Sequence, residues 1–463
     1  MKRTRLSRVL GLSDLSILSS ASMAPAYSIA STFGLMVAAA GSGAILSLIA
    51  LSIPIVFIAI AFHRLCEDQS DAGSTYAWSR VAFGYKPGAF AAWIVVLSYF
   101  FAAVAAVVPA GIYTLELLSS FGVLPAALVN QAPAVAIAGG CWVLVASALL
   151  IGGMRPTARA TGLFLLLEVA ALMLFAVIAA FHHPAPAVAA SHSHLMTLGA
   201  RGMSGFLAAM VLSIWVTDGW EVSSYASEEN VGTSRQPGLG GLVGLLITVA
   251  IVVVCMAAYS RVSDLASISS HAADTLAFVA VQLGGGWKTT VMVITVLVST
   301  AATLWTTQLG ISRGIFSMAR DRVFPQALSA VHPSFGTPHL SILAVNVGVL
   351  AVTLLTGLMP SANEALLEVV NASSIFLGLT FILTGLACVV HFRRKGFPVT
   401  DLTRVVLPAI GTIAVTALLV FNFASQSRVD QWIALGGIAI GVVFAAVPRL
   451  PKPAAPRYRV PAA

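Results

Sequence analysis

The most constraining feature of this sequence is a series of long apolar segments, each about as long as a helix that crosses a lipid bilayer. The hydrocarbon core of a bilayer is about 30 Å thick and an α-helix rises about 1.5 Å per residue, so one crossing takes roughly 20 apolar residues. Twelve such segments, which we call spans 1 to 12, are predicted in the 463 residues. They fall at 14–38, 42–63, 88–112, 131–151, 160–181, 203–227, 238–260, 288–312, 338–359, 366–390, 405–423 and 431–448.

The composition agrees with a polytopic membrane protein and excludes several soluble classes. Hydrophobic residues make up 58% of the chain and charged residues only 9%, with a mean hydropathy of +0.94. Soluble proteins carry roughly 25% charged residues, so this chain has too few polar side chains to cover a surface that faces water. We therefore expect a lipid bilayer around it, and neither a soluble enzyme, a disordered chain nor a nucleic-acid-binding domain.

The placement of lysine and arginine predicts how the chain is oriented in the membrane. If the N-terminus is cytoplasmic, all but four of the 25 Lys and Arg residues fall on the cytoplasmic side. Short cytoplasmic loops are enriched in these residues. We therefore expect a multi-pass protein of the cytoplasmic (cell) membrane with both termini inside: a cytoplasmic segment over 1–13 and a cytoplasmic tail over 449–463.

Three acidic residues lie deep within the predicted spans and are the first candidates for chemistry. They are Glu168 in span 5 and Asp218 and Glu221 in span 6. A charged side chain in hydrocarbon is costly, so such residues often serve a function, although structural pairing with Ser, Thr or Arg is the alternative. Gly219 lies between the two acids of span 6 and disfavours a continuous helix. Whether the helix breaks there or continues, both carboxylates would point toward one polar centre.

Span 1 contains a matching feature, because Pro25 lies in its middle among small residues. Proline removes a backbone N–H donor and kinks a helix. Interrupted spans at corresponding positions of the two halves of a chain point to the binding site of a secondary transporter. Spans 1 and 6 are five spans apart and enter the membrane from opposite sides, which is the relation that an inverted repeat of five plus five helices requires.

Four segments resemble motifs of the amino acid–polyamine–organocation (APC) permeases. After span 2 comes DAGSTYAWSRVAFG, which is similar to P-x-A-G-G-x-Y, with Asp71 where Pro is frequent. Span 6 contains GWEVSSYASEEN, which is similar to G-F-E-…-E-E-…-N-P, although proline arrives only at Pro237. The end of span 8 carries the most specific match, SRGIFSMARDRVFPQALSAVHPSFGTP, which resembles S-R-…-M-A-R-D-G-…-P-…-H-…-T-P. Between spans 7 and 8, ADTLAFVAVQLGG resembles the external loop of the family, and the matches together extend from about residue 14 to 390.

This resemblance implies an all-α polytopic membrane protein of 12 transmembrane helices, with a leucine-transporter-type 5+5 inverted repeat plus two extra helices. The transport core would cover 14–390, with repeats over about 14–181 and 203–390, and helices 11 and 12 would lie in 391–448. Substrate would bind where helices 1 and 6 are broken and would cross by alternating access. Family members usually carry amino acids or amines, often with a proton. The candidate substrate-binding residues are then Ser22, Met23, Ala24, Thr217, Asp218, Gly219, Trp220 and Glu221.

Two departures from the family pattern bear on the substrate. The helix 1 break of the family is commonly Gly-rich, close to G-S-G-I-F, with free N–H groups that hold a substrate carboxylate. This chain has SMAPA over 22–26 and lacks one of those N–H groups at Pro25. Asp218 stands where a small or neutral residue is more usual, while Glu221 stands where an acid is frequent. A carboxylate beside the site favours a cationic amine and opposes an acidic substrate.

Glu168 is the candidate for proton coupling. Its segment, GMRPTARATGLFLLLEV, resembles one in which proton-linked members often carry Lys near the end. A buried carboxylate can bind and release a proton near neutral pH, but it can also hold a cation or pair structurally. A sodium site lined by Ser299, Thr300 and Thr303 of span 8 is a further alternative, although Ser and Thr commonly join helices in membranes.

The sequence therefore predicts a secondary active transporter of a small molecule, either an amino acid or a cationic amine such as a polyamine, coupled to the proton. The alternatives of the same fold are a neutral amino acid exchanger and a sodium-coupled symporter. A membrane-embedded enzyme would need a nucleophile–base pair or a metal motif such as HExxH within the spans, and a channel would need rings of carbonyls or charges. No such enzyme motif occurs in the spans, and two interrupted helices in antisymmetric positions fit a carrier better than a channel. The four cysteines stand singly, so we expect no metal site and no cofactor.

Overall fold

The computed structural model describes residues 5–182, 202–272 and 274–447. Over these ranges the chain is helical, and the one β-type pairing within them is a parallel bridge between Leu10 and Asn230. The expected cytoplasmic tail over 449–463 lies outside the described residues. The described part of the chain is therefore all-α, as its sequence predicts.

Most of the helices are long, and a few short ones lie in the connections. In chain order they are α1 (Leu12–Ser22), α2 (Pro25–Ala40), α3 (Ala44–Asp68), α4 (Thr75–Phe83), α5 (Tyr85–Ser120), α6 (Ala132–Ile151), α7 (Met154–Ala180), α8 (Gly202–Val216), α9 (Val222–Tyr225), α10 (Arg235–Tyr259), α11 (Leu265–Ser270), α12 (Thr275–Gln282), α13 (Trp287–Arg320), α14 (His339–Thr356), α15 (Ala362–Arg394), α16 (Leu407–Ser425) and α17 (Arg428–Ala446). Turns of 3-10 helix lie at Gly41–Gly43, Ala126–Asn130, Ser227–Glu229 and Gln326–Ser329, and a π-helical turn at Leu402–Val406 precedes α16.

Ten helical segments within the described residues are long and apolar enough to cross a membrane. The first runs over 57 residues from Leu12 to Asp68 and includes α1, α2 and α3, while α8 is apolar but has only 15 residues. These helices and their composition fit a multi-pass membrane protein. The number of twelve crossings and the inverted repeat stay predictions.

Three helices extend well beyond the apolar runs that predict them. α5 has 36 residues, α13 has 34 and α15 has 33. At about 1.5 Å per residue, such helices are about 50 Å long, which exceeds the bilayer core of about 30 Å. Hydropathy identifies only the apolar part of a helix, so it does not predict polar end turns such as SMAR at the end of α13.

α13 is the most buried of the candidate spans, and it carries several residues of the site described below. Every residue from Ser299 to Ala319 is buried, because α13 packs against α5, α7, α14, α1 and α6. By contrast, α17 leaves most of its surface open, including Trp432, which is 72% exposed. A helix that is apolar and open on this scale is suited to contact with lipid.

Glycine allows α10 to lie very close to α1. A Cβ atom at Gly244 would lie 2.5 Å from the Cβ of Ser19, and one at Gly240 would lie 2.7 Å from the Cβ of Leu15. Both distances are far shorter than van der Waals contact, so any side chain here would push the helices apart. Small residues serve this purpose widely in membrane helices. α10 therefore holds α1 in place just before the chain leaves that helix.

Candidate functional site

The first predicted span is interrupted in its middle, at its proline. α1 ends at Ser22 and α2 begins at Pro25, so Met23 and Ala24 lie outside both helices. Pro25 has no N–H and cannot continue the hydrogen bonding of α1. Ala24 has a left-handed backbone conformation with φ of +47°, which costs a residue other than glycine about 1–2 kcal/mol. Contacts from neighbouring helices must therefore hold this break in shape.

Hydroxyl groups bind the carbonyl groups that the break leaves without helical partners. The Thr303 hydroxyl of α13 lies 2.9 Å from the carbonyl oxygens of both Ala21 and Ser22 and donates a shared hydrogen bond to them. The Ser28 hydroxyl donates to the carbonyl oxygen of Met23 at 2.8 Å. Buried carbonyl groups need such partners, so these contacts stabilise the end of α1.

A carboxylate binds the N-terminus of α2. The Ala26 N–H donates to Glu168 Oε1 at 2.7 Å, and Ser299 Oγ donates to the same oxygen at 2.6 Å. The Tyr27 N–H in turn donates to Ser299 Oγ at 3.2 Å. Negative charge is favoured at a helix N-terminus, where the first N–H groups have no partner within the helix. Glu168 thus connects α7 to the broken first span.

The sixth predicted span is interrupted around its two acids. α8 ends at Val216 and α9 begins at Val222. Between them, Gly219 has φ of +97°, a conformation that glycine adopts freely because it lacks a Cβ. A Cβ at this position would lie 2.7 Å from the carbonyl oxygen of Ser22. The two breaks therefore touch each other at Gly219 and Ser22.

A cavity lies between the two breaks. Residues of α1, α2, α5, α8, α13 and α15 contribute to its wall, together with the two interrupted segments. Six of the eight residues predicted to bind substrate line it: Ser22, Met23, Ala24, Asp218, Gly219 and Glu221.

The wall of this cavity is acidic. Asp218 is half-buried and Glu221 is fully buried. The Tyr99 hydroxyl of α5 donates to Glu221 Oε1 at 3.0 Å, while Glu221 Oε2 has no hydrogen-bond partner within the described ranges. The described residues that line the cavity include no Lys and no Arg. A wall of this kind favours a cationic group and opposes an anion.

The other two predicted residues, Thr217 and Trp220, do not line the cavity. The Thr217 hydroxyl donates to the Ser213 carbonyl of α8 at 3.1 Å. The Trp220 ring contacts Phe62 edge-on, with centroids 5.0 Å apart, and stacks on Phe381 with centroids 5.6 Å apart. Both side chains thus belong to the packing behind the cavity wall.

Glu168, the residue predicted to couple protons, also lies behind the wall. It is completely buried, and its contact with Ala26 places it next to Ala24 and Tyr27, which do line the cavity. Its Oε2 atom makes no hydrogen bond to any described residue. Glu168 is therefore separate from the pair formed by Asp218 and Glu221, but it contacts the same interrupted helix.

Sequence reasoning missed several residues of the cavity wall. Tyr99 has the clearest signal, since a tyrosine within an apolar span needs a partner for its hydroxyl. The serines and threonines have no distinctive signal, because such residues join membrane helices everywhere. The missed residues that supply a polar or aromatic group are Tyr27, Ser28, Ser98, Tyr99, Trp215 and Thr307.

A second polar region lies at the C-terminal end of α13. Arg320 donates to Glu228 Oε2 at 2.8 Å, and Arg80 of α4 forms an ion pair of 2.9 Å with Asp321. Burial raises the pKa of Glu228 above its ordinary value, although Arg320 acts in the opposite direction. These pairs connect α13 to α4 and to the chain that follows α9.

The segment before α1 pairs with the same part of the chain. The N–H groups of Val9 and Leu10 donate to the Glu229 carbonyl at 2.8 and 3.0 Å, and the Val231 N–H donates to the Leu10 carbonyl at 2.9 Å. Leu10 is completely buried. The start of the described chain is thereby fixed to the exit of the second broken span.

Comparison with known proteins agrees with this geometry. Residues 10–445 match a family model described as amino acid permease. The chain is 24% identical to the branched-chain amino acid permease BcaP of Bacillus subtilis over 310 residues, and the match covers 65% of each protein, slightly less than two thirds of that permease. It is 24% identical to BcaP of Lactococcus lactis over 404 residues, or 82% of each protein. It is 29% identical to an uncharacterized transporter of Mycobacterium tuberculosis over 386 residues, or 81% of each.

The family match extends over nearly the whole chain and includes both breaks, the cavity and the helices around them. This match confirms the resemblance to the APC permeases that the sequence motifs indicate. The chain therefore belongs to the amino acid permease family within the APC superfamily, a family of transporters and not of enzymes.

Proposed function

We propose that this protein is a secondary active transporter that moves an amino acid or a cationic amine across the cytoplasmic membrane, by alternating access and with a proton. The observation that carries this proposal is the cavity between two interrupted helices, with Asp218 and Glu221 in its wall. A buried carboxylate is costly without a cation, and a protonated amino group would supply one. Among amino acids we favour the basic ones, whose second cationic group would suit the second carboxylate.

The proposed architecture has twelve crossings with an inverted repeat of helices 1–5 and 6–10. Two features reconcile twelve crossings with the ten segments that have the length and composition of a span. The Leu12–Asp68 segment would make two crossings, because its 57 residues exceed twice what one crossing needs and the turn at Gly41–Gly43 lies between α2 and α3. α8 and α9 would together make one crossing that Gly219 interrupts. The breaks then fall in helices 1 and 6, the first helix of each repeat, which supports the repeat.

The proposed boundaries follow from the same assignment. The transport core would be 14–390, with repeats over 14–181 and 203–390, and 391–448 would hold the last two helices. The distribution of Lys and Arg supports a cytoplasmic position for both termini, the segment over 1–13 and the tail over 449–463. An accessibility assay on single cysteines in loops would test this orientation directly.

Proton coupling through Glu168 is supported by its burial and by its contact with the first break. Adding a proton to Glu168 would weaken its attraction for the N-terminus of α2, because the charge would be removed. A change at Glu168 would therefore alter the break that forms part of the cavity wall. This connection is what a coupling residue needs.

The sodium-coupled alternative finds less support in the same helices. The hydroxyls that would serve as sodium ligands already donate to protein oxygens: Ser299 to Glu168, Thr300 to the Leu297 carbonyl, and Thr303 to the carbonyls of Ala21 and Ser22. These hydrogen bonds use the hydroxyl hydrogens and leave lone pairs on the oxygens for a cation. We favour the proton because Glu168 is a buried carboxylate that contacts the first break and can bind and release a proton.

A neutral amino acid is the second candidate substrate. The relatives named branched-chain amino acid permeases favour it, and so do the apolar side chains of Met23, Trp215 and Leu377 in the wall. In that case the ammonium group of the substrate would face Glu221, and its side chain would face the apolar part of the cavity.

Transport by the purified protein in liposomes tests the proposal. Radiolabelled L-lysine, L-leucine and cadaverine would be offered with an inward proton gradient, with a sodium gradient, and with no gradient. We expect saturable uptake that the proton gradient increases and that unlabelled substrate inside the vesicles accelerates. Uptake driven by sodium alone would contradict the coupling ion. Flux that is insensitive to substrate on the opposite side would contradict a carrier altogether.

A further inference from the structure

The N-terminus of α2 lies beside the cavity, and a side chain of the protein itself occupies it. A helix N-terminus attracts anions, because its first N–H groups have no partner within the helix. Pro25 has no N–H, the Ala26 N–H donates to Glu168 Oε1 at 2.7 Å, and the Tyr27 N–H donates to Ser299 Oγ at 3.2 Å. The position where this terminus would hold the carboxylate of a ligand therefore already holds the carboxylate of Glu168.

One carboxylate oxygen of Glu168 accepts hydrogen bonds and the other has no hydrogen-bond partner among the described residues. Oε1 accepts from Ala26 and from Ser299, whereas Oε2 has no hydrogen bond to a described residue, and the side chain is completely buried. An unpartnered carboxylate oxygen in such a place is expensive. Glu168 is therefore held by contacts that another carboxylate could replace.

In the described part of the chain, the helices packed against α7 place no charged partner beside Glu168. These helices are α1, α2, α6, α10 and α13. The Tyr259 hydroxyl of α10 donates to the Leu172 carbonyl one turn from Glu168, with Cys255 beside it, and Tyr27 of α2 follows the bound Ala26. These side chains can titrate but are uncharged near neutral pH. Within the described ranges, no Lys, Arg, Asp or Glu of these helices forms an ion pair with Glu168.

We propose that Glu168 holds the place of the substrate carboxylate in the empty carrier, and that an amino acid displaces it and thereby loads one proton. The substrate carboxylate would accept the Ala26 N–H, and Glu168 would take one proton from the solvent on the side to which the carrier is open, so that a zwitterionic substrate enters with one added positive charge and the buried helix terminus still holds one carboxylate charge. Two ionised carboxylates at one buried helix terminus would repel each other, which provides the driving force. The inference rests on the proposed proton-coupled transport and refines it.

This arrangement links coupling to the chemical class of the substrate. An amine without a carboxylate would bind at Asp218 and Glu221 and leave Glu168 on the Ala26 N–H. It would therefore bind without loading a proton at Glu168. Amino acids would be carried with a proton, whereas amines of the same side chain would not.

Proton uptake on binding tests this directly. The full-length protein would be titrated calorimetrically with matched pairs, L-leucine with 3-methylbutylamine and L-lysine with cadaverine, in buffers of different ionisation enthalpy. The dependence of the heat on the buffer gives the protons taken up, at several pH values from weakly acidic to weakly alkaline. We expect each amino acid to take up more protons than its amine, with the largest difference at the alkaline end, where the fraction of Glu168 that is ionised before binding is greatest.

Two variants test whether Glu168 is the group that takes up the proton when an amino acid binds. Glu168→Gln keeps an oxygen for the Ala26 N–H but cannot ionise, so it should bind L-leucine without proton uptake. Glu116→Gln is the matched control. It changes a carboxyl group near the C-terminal end of α5, outside the cavity wall, and should leave proton uptake on binding unchanged. Infrared difference spectra should show a new protonated carboxyl band on addition of L-leucine, absent with 3-methylbutylamine and absent in Glu168→Gln.

Ser299→Ala provides a test that does not depend on the folding of the Glu168 variant. It removes one of the two donors to Glu168 and leaves the Tyr27 N–H without its acceptor. Both effects act at the position that the substrate carboxylate would take, so the affinity for L-leucine should change several-fold while that for 3-methylbutylamine stays unchanged. Equal shifts for the two ligands would contradict the inference.

The outcomes separate this inference from the function on which it rests. Equal proton uptake for the two members of a pair, or uptake that persists in Glu168→Gln, overturns the inference while transport stands. If none of the four ligands binds the wild-type protein, the proposed function fails and the inference fails with it.

Discussion

Arg313 and Glu229 form an ion pair in which neither side chain has any exposure to solvent. Arg313 Nε lies 3.0 Å from Glu229 Oε2, and Nη2 lies 3.1 Å from Oε1. The pair joins α13 to the turn after α9. Removing one partner of such a pair leaves a buried charge and costs about 3–5 kcal/mol, whereas replacing both partners with apolar residues is far milder.

Arg313→Met and Glu229→Met should therefore each lower the thermal unfolding temperature of the purified protein strongly, while the double variant should recover most of the loss. The comparison isolates the charge from the change in side-chain volume. Arg235→Met is the control, because Arg235 pairs with Glu67 but is 67% exposed, and exposed pairs contribute little. A double variant as unstable as the sum of the two singles would argue against a mainly electrostatic role.

Asp218→Asn should reduce the affinity for a cationic substrate much more than for a neutral one. A hydrogen bond to a charged group is worth about 1.5–3 kcal/mol, which corresponds to roughly 10- to 150-fold in affinity. Competition by L-lysine and by L-leucine for uptake of the same labelled substrate would measure the difference. Thr217→Val, which changes the neighbouring residue outside the cavity, is the control. Equal losses for lysine and leucine would contradict a role of Asp218 as a charge selector.

Gly219→Ala should abolish transport without unfolding the protein. A left-handed backbone costs alanine about 1–2 kcal/mol, and its Cβ would lie 2.7 Å from the carbonyl oxygen of Ser22, so the two breaks would be forced apart. Gly436→Ala is the matched control, since a Cβ there meets nothing within 4 Å. Uptake should be measured on samples with matched size-exclusion profiles. Near-normal transport by Gly219→Ala would show that the contact between the breaks is dispensable.

Asp274 should make the protein more stable as the pH falls. It caps α12 by accepting the Ala277 N–H at 3.1 Å, and burial raises its pKa from 3.8 to about 6. An acid with a higher pKa in the folded than in the unfolded state binds its proton more tightly when folded, so stability increases as the pH falls through about 6 toward about 4. Thermal unfolding from about pH 7.5 to about pH 5 would follow the increase.

Asp274→Asn should remove this dependence while keeping the cap, because the asparagine oxygen can accept the same N–H at every pH. Asp264→Asn is the control. Asp264 caps α11, and hydrogen bonds from Ser267 lower its pKa, so its contribution has the opposite sign. An unchanged pH profile in Asp274→Asn would assign the effect to another group.

The two interruptions could be predicted from the sequence because their causes are local. Pro25 lacks an N–H and Gly219 lacks a Cβ, and each property acts on the backbone at its own position. The acids were visible for the same reason, since a carboxylate in an apolar run stands out without any knowledge of its neighbours. Six of the predicted residues consequently line the cavity.

The remaining features of the site depend on contacts between distant parts of the chain. Trp220 lies one residue from the cavity wall but packs against Phe62 and Phe381, and nothing in the local sequence indicates that direction. Similarly, Tyr99 reaches Glu221 only because α5 crosses beside the second break. Glu168 could be identified as unusual, but its partner, the Ala26 N–H, could not.

The pairing of the first described residues with the turn after α9 also sets an order of events during synthesis. The Arg8 side chain donates to the Asn230 carbonyl, 222 positions further along the chain. Ribosomes add about 5–20 residues per second, so this partner emerges roughly 10–45 seconds after the residues that bind it. The helices from α1 to α9 are therefore synthesised while the segment that precedes them is still unattached. Pairing of that segment belongs to the later steps of folding, although its residues leave the ribosome before all of these helices.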